Sequence, residues 1–482
     1  MHCFNMPPTP CKSSTRSCTK RLYVLLVAVL SSALVSAQET DFSPFSRYGF
    51  GMSQGVLSPS LASLGGVTSV TGATMVVNAD QPAAAAGMTH PTFQGSVHMQ
   101  SLQLTETDQS AQARTGGPGN FGLVVKRPRA RSAFQLGLTP MTSKSFDVQR
   151  ASTDSDVGEF TESYEGSGGL ARAYAGLARG WRGRQWVQAG SEDSVFVGMR
   201  GLDIGGQVDH WFGDAIQTSN LDINDVTYRD SRTSISSRHR ATGWVFGVEA
   251  FQVLSARYDE FKQFQGSWVL RLGGTFSPER TVYTDFNRLV QSTLLINGVP
   301  GGLDTANYLA AELVGTVPAL WTAGAGLQWD GPKGGRVGLF VDMHRRDWSS
   351  SNVSLSHLMD DSSVWGDAQS TSLGLTWTPN RKAGKIIRPT YQTGWIQSTL
   401  PVVLLSEDGE DAYPLEEWRV SLGMHAPMQG SRSASHLHVG MDFGQRHTEL
   451  GGVHEERSIR LHLGVTLTPF VKNLWLTPRL YD

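Results

Sequence analysis

The chain has 482 residues, 17% of them charged and 53 of them glycine, with 41 Lys+Arg against 43 Asp+Glu for a formal charge of -2. So charge-poor and glycine-rich a composition disfavours a disordered chain, and the missing basic surplus disfavours nucleic acid or another polyanion as partner. The length fits about three ordinary domains or one large β-barrel.

At the N-terminus, Lys20-Arg21 precede the apolar run Leu22 to Leu30, which ends in Leu34-Val-Ser-Ala37. A basic start, a short apolar core and a small residue before the break predict a signal peptide over 1–37, too short to act as a spanning helix. Cys3, Cys11 and Cys18 all lie within it. The exported chain, starting near Gln38, then has neither a disulfide framework nor a thiolate metal site, and no lipoprotein box precedes Cys18.

Residues 38–91 do not alternate and are rich in Ser, Gly, Ala and Pro. Extended polar chain cannot lie in lipid with its peptide groups unpaired, so this stretch is expected in the periplasm or inside a barrel lumen, a lumen plug being the sharper reading. The segment Gly51-Met-Ser-Gln-Gly55 matches a nucleophile-elbow pattern but lacks the strand and helix that strain such a turn, so it reads as a loop of the plug. Gly117-Pro-Gly-Asn-Phe-Gly122 matches a phosphate-loop pattern, yet it enters a strand and not a helix.

From Thr92 to the C-terminus, runs of strict alternation recur, as in Phe134 to Leu138, Trp321 to Trp329, Leu373 to Trp377, Trp418 to Met424, Leu437 to Phe443 and Ile459 to Leu467. One apolar and one polar face per strand, with no apolar run of spanning length, excludes a helical membrane protein. The polar face is rich in Gly, Thr, Arg, His and Asp, and aromatic residues such as Trp329, Trp348, Trp377, Trp418 and Phe443 sit near strand ends. Short Pro/Gly connections (126–131, 277–280, 330–335, 379–384, 427–431) alternate with long ones (295–317, 349–365, 400–415). These habits predict an all-β, transmembrane antiparallel barrel over 92–482, with the short turns facing the periplasm. Segmentation yields about sixteen strands, and fourteen is equally compatible because Val226 to Arg238 is a weak strand.

On the expected lumen face lie Arg271, Asp342, Arg419, Asp442 and Arg460, together with His425, His436, His438 and His462. Charges so placed must be paired or wetted, and are expected to brace the plug against the wall. The histidines are read as a hydrated lining, since no carboxylate or cysteine spacing supports a metal site. No cofactor is implied.

Several segments taken in order resemble the FadL/TodX (OMPP1-like) family of outer-membrane hydrophobic-compound channels, in its Bacteroidota-type branch. Ser43-Pro-Phe-Ser-Arg-Tyr-Gly-Phe-Gly51 is similar to that branch's Ser-Pro-Tyr-Ser-Arg-Tyr-Gly opening, with Leu64-Gly-Gly66 in the place of its Met-Gly-Gly. Val77 to Ala86 is similar to its Asn-Pro-Ala-Asn-Pro-Ala-Ser-Tyr-Ala hatch segment. Asn78, Pro82 and Ala83 match, while Ala79 and Gln81 depart. Leu136 to Met141, Trp418 to Met428 and Gly440 to Arg446 look like barrel strands of the same branch.

The resemblance implies fourteen strands, an N-terminal hatch in the lumen, and uptake of small apolar compounds such as long-chain fatty acids through a gap in the wall. It places the protein in the outer membrane of a Gram-negative cell, with membrane lipid and apolar small molecules as partners and no enzymatic activity. The alternative is a non-transporting barrel subunit that docks a secretion or gliding apparatus, with a secretion-system protein as partner.

Overall fold

Alternation becomes a two-faced wall. Along Glu455–Leu467, Ile459, Leu461 and Leu467 are exposed, whereas Arg460, His462 and Thr466 are buried. The computed structural model describes residues 43–468 apart from 71–75, 107–108, 127–129, 155–157, 190–192, 225–227, 297–298, 361, 381–387, 407, 429–434 and 451–454. The expected signal peptide with its cysteines, parts of the connections at 126–131, 379–384 and 427–431, and the chain from 469 onward lie outside the described residues.

The strands are β1 (Met52–Ser53), β2 (Thr92–Glu106), β3 (Gln109–Val125), β4 (Ser132–Pro140), β5 (Thr142–Ser143), β6 (Phe146–Asp154) and β7 (Gly158–Gly168). There follow β8 (Ala171–Ala189), β9 (Asp193–Ile223), β10 (Asp230–Tyr258), β11 (Phe264–Ser277), β12 (Arg280–Ile296), β13 (Val299–Val317) and β14 (Leu320–Asp330). The last are β15 (Arg336–Asp347), β16 (Ser363–Trp365), β17 (Asp367–Thr378), β18 (Thr390–Leu405), β19 (Ala412–Pro427), β20 (His436–His447) and β21 (Glu455–Leu467). Fourteen of them, β2, β3, β4, β8, β9, β10, β11, β14, β15 and β17 to β21, close an antiparallel barrel in which β21 returns to β2.

The higher count from the sequence has a physical cause. Six neighbouring wall strands continue past the rim, and four of them break where they leave it. β4 passes into β6 at Pro140, β7 into β8 at Gly168-Gly169, β11 into β12 at Pro278, and β13 into β14 at Pro318. Proline removes a ladder donor and glycine admits a sharp bend, so one long strand reads as two. The stretch 277–280 is therefore no periplasmic turn. It lies at the end with the long connections, and the chain keeps its direction across it. Of the weak stretch 226–238, Asp230 to Arg238 belongs to the continuous strand β10 and pairs on both sides with β9 and β12.

Above the rim, β6, β7, β9, β10, β12 and β13 form a standing sheet. Its part of β10, Asp230 to Ala241, reaches about 40 Å along the strand.

The outer face carries the apolar band of a membrane barrel. Trp321, beside Phe276 at 4.1 Å between ring centroids, marks one border, and Trp268, Trp377 and Tyr391 mark the other. Along β14, Trp321 and Trp329 are separated by about 26 Å, close to the ~25 Å height of such bands. No helix among the described residues is long and apolar enough to cross a membrane. Trp348, expected among the border aromatics, is instead buried and packs inside with Phe50 and Trp365.

Residues 43–70 and 76–91 lie inside the barrel, and wall glycines let their backbone approach. A Cβ on Gly205 would stand 2.5 Å from the Pro82 carbonyl carbon, and one on Gly374 would stand 2.8 Å from the Leu64 oxygen. Gly65, at φ +70°, turns the chain against the backbone of Trp395.

Candidate functional site

The segment Ser43 to Gln54 follows the break between β4 and β6. Ser43 N–H donates to the Ser145 carbonyl at 3.0 Å, β1 pairs with β5 through Met52↔Ser143 and Ser53↔Thr142, and Gln54 N–H donates to Met141 O at 2.9 Å. The break thus has an internal partner in the lumen segment as well as one in the wall, where Met141 N–H donates to Leu170 O and Lys144 N–H to Gly168 O, both at 2.8 Å.

On the other side of this break the wall is thin. β3 and β4 share only the ladder from Phe121↔Leu138 to Val125↔Phe134, although β3 runs from Gln109. Among the described residues, β3 above Phe121 pairs with β2 alone. Pro118 offers no N–H there, and its neighbours Gly116, Gly117 and Gly119 carry no side chain to fill the space. A seam therefore opens between β3 and the top of β4.

Two neighbouring cavities with shared lining residues lie between Trp348 and this seam. The first, of about 390 Å³, has an aromatic upper wall: Trp348 stacks on Trp365 at 4.8 Å, and Phe50 stands 6.1 and 5.9 Å from them. Trp365 is fixed by its indole N–H donating to Leu355 O at 3.1 Å. Leu170, Leu400 and Val402 continue the apolar lining, while Glu417, Arg419, Asp442 and Arg460 form a polar floor. The second, of about 240 Å³, reaches Asn120, Thr139 and Pro140 at the seam. Trp211, Leu320 and Arg346 line both.

That partition is electrically unbalanced. Arg172 is paired with Asp80 at 2.7 Å and Asp209 at 3.6 Å. Arg280 lies over Trp211 at 4.4 Å, and Arg346 lies 5.8 Å from Trp211 and 5.4 Å from Trp348. Among the described residues neither Arg280 nor Arg346 has an ion-pair partner, and Arg280 Nη1, Arg346 Nε and Trp211 Nε1 are buried donors without acceptors. Buried unmet donors are costly, so the three gathered around this cavity call for an acceptor, whether ordered water or a ligand group.

The residues singled out in the sequence fall into separate groups. Asn78 Nδ2 donates to Thr68 O at 2.7 Å, and its Oδ1 accepts from the backbone of Asp80 and Gln81 at 3.0 and 3.1 Å. Pro82 and Ala83 press on Gly205. Asp342 accepts the N–H groups of Thr68 and Ser69 at 2.8 and 2.9 Å, with His344 at 3.3 Å. Arg460 donates to Gln54 O and to Gln100 Oε1, both at 2.8 Å, and His462 meets Asp442 at 2.6 Å. Arg419 pairs with Glu417, and Arg271 with Glu249 at 3.4 Å.

At the opposite end, the rings of His425, His436 and His438 stand 5.5 to 6.3 Å apart. Among the described residues no group of three His, Cys, Asp or Glu is arranged to hold a metal ion. Ser53 lies in the two-residue strand β1, and its Oγ accepts from Gly55 N–H at 3.3 Å.

Sequence reasoning missed Trp211, Arg280 and Arg346. They come from β9, β12 and β15, and nothing local marks them. The signal available was the pairing of a strand-breaking Pro278 with an Arg two residues later, which places a cation at a rim.

A family model named BamG matches residues 19–482. The chain belongs to the BamG family. No curated protein matches it. Among solved structures, this BamG-family barrel is similar to the toluene transporter TbuX of Ralstonia pickettii, at 13% identity and a TM-score of 0.48 over 86% of this chain and 98% of that one. It is also similar to the toluene transporter TodX of P. putida, at 13% identity and 0.47 over 86% and 99%. For a FadL homologue of Pseudomonas aeruginosa the figures are 12% and 0.45 over 90% and 100%.

Proposed function

We propose that this BamG-family protein is an outer-membrane channel of a Gram-negative cell that takes up small hydrophobic compounds, long-chain fatty acids among them. The observation that carries this reading is the path from the aromatic chamber past Trp211 and Arg346 to the seam between β3 and β4. An apolar chain suits the Phe50, Trp348 and Trp365 walls, and a carboxylate suits the unmet donors of Arg280, Arg346 and Trp211. Residues 38–91 act as the hatch, with Asn78, Pro82 and Ala83 shaping its inner loop, and Asp342, Arg419, Asp442 and Arg460 bracing it. His425, His436, His438, His462 and Arg271 line the hydrated lumen. Residues 1–37 direct export, and the sequence motifs favour the Bacteroidota-type branch.

The test is equilibrium binding of a fluorescent long-chain fatty acid to the purified barrel in mild detergent, followed by uptake into cells lacking other such channels. Saturable binding, weakened by Arg280→Gln together with Arg346→Gln and unaffected by substitution of exposed arginines, supports the reading. An empty chamber and unchanged uptake overturn it.

A second reading rests on the standing sheet. Among the described residues β13 pairs only with β12, and its exposed stretch Asp304 to Ala310 includes Tyr308 at 62% and Leu309 at 50% exposure. An exposed strand edge is a template for another strand, so a barrel subunit docking a secretion or gliding apparatus would use it. A stoichiometric protein co-purifying with an empty chamber, and lost on Leu309→Lys, would favour that reading.

A further inference from the structure

The wall carries a second cationic cluster, on its outside and away from both cavities. It lies at the end with the short connections, where β4 begins and where β8 and β9 meet. On the lipid-facing side of these strands, Phe134, Leu136 and Leu138 are exposed, as are Leu177, Leu202 and Ile204. Two residues beyond Leu177 the face changes to Arg179, paired with Ser132 and Ile204 across the ladder, with its guanidinium 5.7 Å from the Trp181 ring.

Arg131, Trp181, Arg182, Arg200 and Leu202 line one notch of about 270 Å³. Arg131 is held there by Gly180 N–H donating to its carbonyl at 2.8 Å. Arg200 folds back across Gly183, where a Cβ would stand 2.7 Å from both its Cγ and Nε, so its head stays at the notch. The register shift between Gly183 and Arg184 leaves room for it. Arg182 is satisfied by Asp203 at 2.6 and 2.9 Å. Among the described residues Arg131, Arg179, Arg184 and Arg200 have no carboxylate partner.

We propose that this notch binds the phosphodiester headgroup of a phospholipid from the periplasmic leaflet. Short connections place this end at the periplasm, and the cluster lies where the apolar band stops, the depth of lipid phosphates. Guanidinium groups are suited to phosphate oxygens, Trp181 and Trp186 are suited to the interface, and Leu177, Leu202 and Ile204 offer a path for acyl chains. The site is independent of what the chamber carries.

Native mass spectrometry of the full barrel in mild detergent tests it, with dioleoylphosphatidylglycerol, dioleoylglycerol and inorganic phosphate as probes. One phosphatidylglycerol is expected to stay bound, with affinity falling about fivefold per arginine removed in Arg179→Gln and Arg200→Gln. Arg→Lys at both positions should restore part of it, and heat-shifted gel mobility reports folding. Should the double variant fail to fold, Arg200→Gln alone is read by the same criterion. Retention undiminished in the variants, equal retention of dioleoylglycerol, or displacement of the lipid by millimolar phosphate, which marks a free-ion site, would each overturn the proposal.

Discussion

Arg280 lies over the ring of Trp211 at 4.4 Å, with its Nη1 and the Trp211 Nε1 both buried and both without an acceptor among the described residues. A side chain held by an aromatic face and left short of an acceptor costs stability, which on the proposed function is the cost of keeping a binding group in place. Replacing Arg346, the half-buried partner across the same partition, with Met should therefore raise the resistance of the ligand-free barrel to thermal unfolding by about 1 kcal/mol. The same change should weaken fatty-acid binding about tenfold. Differential scanning calorimetry and a binding titration check the two signs, and a fall in both would mean that Arg346 is structural.

The pairing of Met52 with Ser143 offers a direct control of the hatch. Cross-strand neighbours fall within disulfide range, and with the expected signal peptide removed the chain carries no other cysteine. Met52→Cys with Ser143→Cys should lock the hatch to the break between β4 and β6. Uptake should fall to background when oxidised and return on reduction. Equal uptake in both states would show that this segment does not move.

Much of this architecture was legible in the sequence, and the missed parts share one cause. Strict alternation at Ile459 to Leu467 exposed the wall because each side chain answers to a single period. The same logic misjudged 277–280, where Pro278 ends a ladder without reversing the chain, a distinction made by pairing partners far away in β10 and β14. Trp348 lies at a strand end like a border aromatic, yet the loop that follows folds it inward against Trp365. The partition of Trp211, Arg280 and Arg346 depends on three strands meeting at a rim, which no local pattern encodes.

Asp342 is fully buried and accepts two backbone N–H groups from the hatch. Asp342→Asn keeps the shape and loses the charge on these bonds, and turns one acceptor into a donor facing Ser69. The loss should be about 2 to 3 kcal/mol of local stability. Hydrogen exchange at residues 66–70 should quicken accordingly while the barrel strands stay protected. Arg460→Ala, which removes the bond to Gln54 O, should likewise loosen residues 50–56. Unchanged protease protection of the hatch in both variants would remove its bracing role.

His357, on the loop between β15 and β16 and outside the membrane, gives that loop a pH limit. Burial lowers its pKa below the ordinary value of 6.5, and its Nε2 has no partner among the described residues. Phe286 meets it edge-on at 6.3 Å, and Lys144 and Asp360 line the same hollow. In a released loop the imidazole regains its ordinary affinity for a proton, so the released state binds more protons. Stability from this group is complete above about pH 6.5 and is lost as pH falls through the lowered value. Hydrogen exchange across 349–359 should therefore speed up between pH 7.5 and pH 5 with the wall unaffected. His357→Phe should flatten that dependence by removing the titrating group. A variant that still loosens in acid would assign the effect to another residue of the loop, and an acid-insensitive wild type would show that the imidazole stays neutral or finds water in both states.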